Sequence, residues 1–204
     1  EFGVFKASSL ISMALLLKKL GSEKKIYGFD SFKGFPPYHS NDEFSSFELN
    51  PHIFSKSQIE KHKFLLRIKK TINKNISPLN ISSTGDFSDT NEESVQKKIA
   101  AFELDNIELV VGEFSNTVPS FFKNYNDGIF SCNMDCDLYL SYIQVLPYVY
   151  NNMNKGSFMN LDEYYSLKFP GARIACDEFF RSIGRKPDIN NVADTEFERW
   201  SFTK

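Results

Sequence analysis

The sequence predicts an α/β fold, a mostly parallel β-sheet with helices on both faces. Three observations predict it. Short apolar runs of strand length recur along the chain, helix-patterned segments separate them, and several of the runs end in carboxylates. In such a sheet right-handed crossovers gather the loops after the strands on one rim, where ligands bind.

The elements follow in order. Ser8 or Ser9 can cap a helix whose residues Leu10, Ile11, Ala14, Leu15, Leu17 and Leu20 form a broad apolar face, and Gly21 ends it. Residues 25–30 are a short apolar run closing on Asp30, a buried strand. From 36 to about 90 the texture turns polar and rich in Ser and Asn, an insertion suited to a lid. Within it 57–74 reads as a helix with Phe64, Leu65, Ile68 and Ile72 toward the core. Thr90-Asn91-Glu92-Glu93 is a capping box that opens a helix to about 104. The rhythm then becomes regular: strand 107–111, helix 115–125, strand 129–135, and helix 138–153 broken or restarted at Pro147. Strand 157–162, helix 172–183 and strand 197–202 complete it.

A chain of 204 residues suits a single domain over 1–204. Twenty-four Lys and Arg against 26 Asp and Glu give a net charge of −2, so no global field draws the chain to nucleic acid or an acidic membrane. No apolar run reaches the ~18 residues of a membrane span, and no signal peptide is visible. Cys132, Cys136 and Cys176 form no CxxC pair, which favours a reducing cytoplasm. Homo-oligomers remain compatible with all of this. Phenylalanine is over-used, at 21 residues, several of them in loops, as plugs for the core or walls of a pocket. Lys56, Lys61, Lys63, Arg67, Lys69, Lys70 and Lys74 make a basic helix face, a solvated surface or a guide for an acceptor carrying phosphate.

Four strand ends carry the chemistry. Glu1-Phe2-Gly3-Val4 opens on an acid and a small residue at a strand-to-helix turn, where a cofactor can approach backbone. Asp30 stands where a carboxylate accepts two hydrogen bonds from a ribose diol. Met134-Asp135-Cys136-Asp137-Leu138-Tyr139 and Leu161-Asp162-Glu163-Tyr164 put four carboxylates into two adjacent loops. They repel one another unless a cation lies between them, and a hard divalent ion with oxygen ligands answers that. The alternative is a set of solvated loop carboxylates. The chain contains neither G-x-G-x-x-G nor G-x-x-x-x-G-K-[ST], which argues against dinucleotide and nucleotide-triphosphate chemistry.

The stretches Gly-Val-Phe-Lys (3–6), Tyr-Gly-Phe-Asp-Ser-Phe-Lys-Gly-Phe-Pro (27–36), Gly-Asp-Phe-Ser-Asp-Thr (85–90), Met-Asp-Cys-Asp-Leu-Tyr (134–139) and Pro-Gly-Ala-Arg (170–173) occur in this order. Together they resemble the macrocin O-methyltransferase family. The resemblance implies a class I methyltransferase fold, S-adenosylmethionine as donor, Mg2+, and a saccharide or glycosylated small molecule as acceptor. It implies that Glu1, Gly3, Asp30, Ser31 and Asp135 contact the cofactor, that Asp135, Asp162 and Glu163 hold the metal, and that Asp137 is the general base. Residues 85–90 would fold over the cofactor. The chain departs from the family pattern at Ala7-Ser8, where Gly-Gly is usual, at Glu163, where Asp is usual, and at Cys136, where Gly is usual. These departures keep a non-catalytic domain of the same fold as an alternative. The first strand of that fold is expected to be truncated, with Glu1-Phe2-Gly3 as its last residues.

Overall fold

The computed structural model describes residues 1–190 and 198–204. The strands are β1 (Ile26–Asp30), β2 (Ile107–Val111), β3 (Ile129–Met134), β4 (Met153–Leu161), β5 (Asp188–Asn190) and β6 (Arg199–Thr203). The helices are α1 (Ser8–Lys19), α2 (Ser46–Leu49), α3 (Lys56–Ile72), α4 (Glu92–Ala101), α5 (Phe114–Phe122), α6 (Tyr139–Asn152) and α7 (Pro170–Ser182). β2 pairs in parallel with β1 and β3 with β4, while β4–β6 and β6–β5 are antiparallel. Phe2 joins the halves by bridging in parallel to Phe29 and to Met134. Its neighbours extend the ladder: Gly3 N–H donates to Phe29 O and Asp135 N–H to Phe2 O, each at 3.0 Å. Glu1-Phe2-Gly3 therefore lies between β1 and β3, where the sequence places the end of a first strand. Beside Glu1 and Phe2 lies a cleft of about 930 Å3 whose walls include Met13, Leu17, Tyr27, Phe121 and Cys132.

Alternation along β1 sends its side chains to both faces of the sheet. Ile26 packs with Leu10, Ala14, Val95 and Ile99 of α1 and α4, whereas Tyr27 and Phe29 meet Phe121 of α5. The larger core lies on the α5–α6–α7 side, where Tyr142, Val145, Val149, Ala175 and Phe180 cover Met134, Met159 and Phe202. Pro147 does not break α6. A helix-interior proline costs ~3 kcal/mol. The buried Tyr142, Val145, Leu146 and Val149, at ~1.5–3 kcal/mol each for the aliphatic ones, outweigh it.

Several expectations need correction. No serine side chain caps α1. Ala7, left-handed at φ 64, occupies the N-cap, and Ser9 Oγ donates to Glu1 instead. Only Leu10, Ile11 and Ala14 of its apolar face are buried. Asn91 rather than Thr90 caps α4, its side chain accepting Ser94 N–H at 2.8 Å, and Thr90 donates to Phe5 O. β5 has no counterpart in the sequence reading. Phe197, expected to begin the last strand, lies outside the described residues.

The largest reversal is α3. Phe64, Ile68 and Ile72 are exposed, only Leu65 of the four packs inward, against the Ile81, Leu138 and Phe169 cluster, and the buried positions are Gln58 and His62. The reason is what the helix packs against. The 166–169 loop presents backbone carbonyls that need donors. Gln58 Nε2 donates to Ser166 O at 3.0 Å, and His62 Nδ1 lies 2.7 Å from Leu167 O while its ring stacks on Phe47. Lys63, Arg67 and Lys70 face solvent, Lys63 paired with Glu48 at 2.7 Å. Among the described residues no helix is long and apolar enough to cross a membrane.

Candidate active site

The loops after the strands converge on one pocket, with Gly3, Asp30, Ser31, Asp135 and Asp137 in its wall. The turn leaving Phe2 is unusual in its backbone. Gly3, Phe5 and Ala7 are left-handed, at φ 89, 48 and 64. Such alternation gathers N–H groups into one concavity, and a carboxylate fills it. Asp30 Oδ2 accepts Val4 N–H and Phe5 N–H, both at 2.8 Å, and Oδ1 accepts Phe32 N–H at 2.7 Å. Asp30 thus builds the turn first. A carboxylate offers about four acceptor positions, so one is left for a ligand. A Cβ on Gly3 would stand 1.7 Å from Asp135 O, so the close approach of the two loops requires glycine there. Glu1 is placed differently from the other four residues. It faces the neighbouring cleft, one oxygen accepts from Ser9, and Oε2 is buried without a partner among the described residues.

Asp137 is left-handed at φ 56, in a three-residue turn closed by Leu138 N–H donating to Cys136 O at 2.6 Å. That turn brings Asp137 level with Asp135. Ligand oxygens of Asp135, Asp137 and Glu163 all lie within 4.8 Å of one another. The sequence grouped Asp135 with Asp162 and Glu163. In the structure Asp162 turns outward to Arg199, at 3.4 Å, and Asp137 takes its place in the cluster. The charge of Asp162 still reaches the site. Burial first, then Asp162 and Glu163, push the Asp135 carboxyl up to about 8. Burial and the charges of Glu163 and Asp135 hold Asp137 well above the ordinary carboxylate range, and burial raises Glu163. Lys168 opposes all three shifts.

These shifts carry a pH dependence of known sign. A carboxyl raised in the folded state favours folding at low pH, and that contribution is lost as pH rises from about 4 toward about 8. The metal-free protein should therefore melt progressively lower between pH 5 and pH 8 through this group. A divalent cation binding in the cluster would compete with the protons, so any rise in Tm on adding Mg2+ should be larger at pH 8 than at pH 5.5. Thermal melts with Mg2+ or EDTA at the two values measure it. An equal Tm response at both would contradict the linkage.

Aromatic rings cover the pocket. Phe87, from the 85–90 stretch, meets Phe5 edge-on at 5.0 Å and Phe35 at 4.9 Å, and all three line the cavity with Phe114. Phe35 N–H donates to Asp86 O at 2.8 Å, which ties this stretch to the loop after β1. Sequence reasoning did not single out Phe35, Phe87 or Phe114. Their signal was the excess of phenylalanine in loops.

The fold is that of O-methyltransferases. It matches the calicheamicin methyltransferase CalS11 with a TM-score of 0.70 and 21% identity, over 98% of this chain and 69% of that one. It matches the O-methyltransferase NovP at 0.68 and 18%, over 100% and 69%. An apo structure of CalS11, described as a TDP-rhamnose 3'-O-methyltransferase in calicheamicin biosynthesis, gives 0.57 and 20%, over 98% and 69%. No curated protein matches the sequence. The chain belongs to the macrocin-O-methyltransferase (TylF) family, whose family model matches residues 79–198, more than half of its 204 residues.

Proposed function

We propose that this chain transfers a methyl group from S-adenosylmethionine to a sugar hydroxyl, with Mg2+ held at the rim of the sheet. In this reading it acts as one domain whose 36–90 segment covers the site. The observation that carries the reading is the meeting of Asp135, Asp137 and Glu163 within 4.8 Å beside the glycine turn, in a chain of this family. The description of CalS11 as a TDP-rhamnose methyltransferase favours a nucleotide-linked sugar as acceptor.

The residues present fit both groups. Three carboxylates held so close, Asp137 buried and Asp135 and Glu163 half-buried, keep their charges only opposite a cation, and oxygen donors suit Mg2+. Asp135 and Glu163, from adjacent strand ends, would hold the ion. Asp162, now paired with Arg199 in a partly exposed contact worth at most ~1 kcal/mol, would support them from outside. For the cofactor, the left-handed turn, the free acceptor position of Asp30, Ser31 and the aromatic walls offer polar contacts and a dry cover. When bound, S-adenosylmethionine supplies a sulfonium methyl open to displacement, and Mg2+ supplies a field that eases loss of a hydroxyl proton.

The chain's own part is alignment and proton removal. Asp137, whose burial raises its proton affinity, accepts the proton of the acceptor hydroxyl as the methyl is transferred. Phe5, Phe35 and Phe87 exclude water from the transfer path.

The test is Mg2+ titration calorimetry on two variants. Asp135→Asn should weaken Mg2+ at least ~100-fold, since its oxygen lies in the cluster. Asp162→Asn should weaken it ~10-fold, as an outer ligand recruited from a surface pair. Unchanged affinity in Asp135→Asn would remove the metal from this site.

A further inference from the structure

Asp42 lies in the inserted segment, far in sequence from the strand ends, and the site described above does not use it. It is a carboxylate at 0% exposure. A buried charge is retained only where its oxygens are satisfied, and those of Asp42 bind two different parts of the chain. Oδ2 accepts His39 N–H at 2.9 Å, closing its own 3-10 turn at Ser40–Asp42. Oδ1 accepts Tyr139 N–H at 2.8 Å.

Tyr139 is the first residue of α6, and Leu138 at the N-cap offers no side-chain hydrogen bond. Asp42 therefore caps α6 from outside the helix, taking the first of its free N–H groups and setting a carboxylate at its positive end. Other contacts press the same junction together. His39 stacks on the Tyr139 ring at 4.7 Å, and Tyr139 Oη donates to Glu178 of α7 at 2.7 Å. Gly171, at the start of α7, closes the third side. A Cβ there would meet Asp42 Oδ1 at 1.9 Å, so no side chain fits. Two residues before Tyr139 stands Asp137, held in its left-handed turn. A non-glycine residue in that conformation persists when its surroundings over-determine it.

We propose that Asp42 is a positioning residue that fixes the Asp135–Asp137 turn by holding the N-terminus of α6. Docking of the inserted segment and alignment of the carboxylates are then one event, and the insertion is part of the site's frame. The inference rests on the proposed function only for what the carboxylates do once aligned.

The test reads the turn itself. Cys136 sits between Asp135 and Asp137, and Cys132, Cys136 and Cys176 are all buried and free. Iodoacetamide labelling under native conditions, resolved by peptide mass spectrometry, reports each thiol separately. Two variants disturb the junction by different routes. Asp42→Asn turns an amide donor toward one of the two N–H groups, and Gly171→Ala drives a methyl against Oδ1. Both should speed labelling of Cys136 at least ~10-fold while Cys132 and Cys176 keep their rates. Lys63→Ala, which breaks the surface pair of the same insertion with Glu48, should change none of them. Equal acceleration of all three thiols, or of none, in the two junction variants would overturn the proposal, because the carboxylate would then only stabilise the fold or do nothing there. Mg2+ calorimetry on the same proteins separates the two readings. Selective Cys136 exposure with a wild type that takes no Mg2+ would sink the metal and leave the positioning role. Where the wild type does bind, Asp42→Asn should weaken Mg2+ by ~10–100-fold, the range for groups that orient metal ligands.

Discussion

Replacing Gly3 by alanine is expected to be strongly damaging, since among the glycines its added Cβ would meet the nearest obstacle. The new Cβ would stand 1.7 Å from Asp135 O, a backbone atom that cannot rotate away, and φ 89 is foreign to alanine. The left-handed backbone costs ~1–2 kcal/mol. Moving one loop away from the other adds ~1–3 kcal/mol or more, as overpacking does. A sum of ~2–5 kcal/mol is a large share of a typical stability of ~5–15 kcal/mol. At ~2–4 °C per kcal/mol for a chain of this size, Tm should fall by roughly 4–20 °C. Because the same shift separates the turn from Asp135, affinity for S-adenosylmethionine should fall as well. A Gly3→Ala protein with wild-type Tm would contradict the close approach of these two loops.

The second large effect concerns Asp137. Asn has nearly the same shape and tolerates the left-handed backbone better than most residues, so Asp137→Asn should fold. It cannot accept the hydroxyl proton, and kcat should drop by ~10²–10⁴-fold. It also removes a carboxyl whose ionisation is opposed by burial first and then by the charges of Glu163 and Asp135. The metal-free variant should therefore be more stable than the wild type at pH 8. Kinetics and a melt on one preparation read both effects. A kcat within a few-fold of wild type would assign the proton to another group.

Much of the fold was legible because its signals are local. The run Ile26–Asp30 and the run Ile107–Val111 are short, apolar and bounded, and they pair residue for residue, Ile26 with Ile107 through Asp30 with Val111. Asp30 and Asp135 were found for the same reason, since each closes such a run. What failed depends on distant partners. Phe64, Leu65, Ile68 and Ile72 of α3 were read as its buried face; Leu65 packs inward, but donors at Gln58 and His62, which meet carbonyls at 166 and 167, take the most buried positions. No periodicity can register a need for hydrogen bonds more than a hundred residues away. The cap of α6 was invisible in the same way, because Asp42 supplies it from another segment. Asp137 was read as one of the four loop carboxylates and as the base, but not as part of the closest cluster, because the left-handed turn that brings it there is not fixed by its residue type. Asp162 was grouped with Glu163, and the sequence could not show that it pairs with Arg199 rather than lying within the closest cluster.

The most direct test is transfer of a labelled methyl group from S-adenosylmethionine to a nucleotide-linked deoxysugar such as TDP-rhamnose, with Mg2+ or with EDTA. The account predicts label in the sugar with Mg2+, and a loss of at least ~100-fold in rate with EDTA or in Asp135→Asn. Label appearing equally fast in EDTA, or no label with a protein shown to bind S-adenosylmethionine, would contradict it.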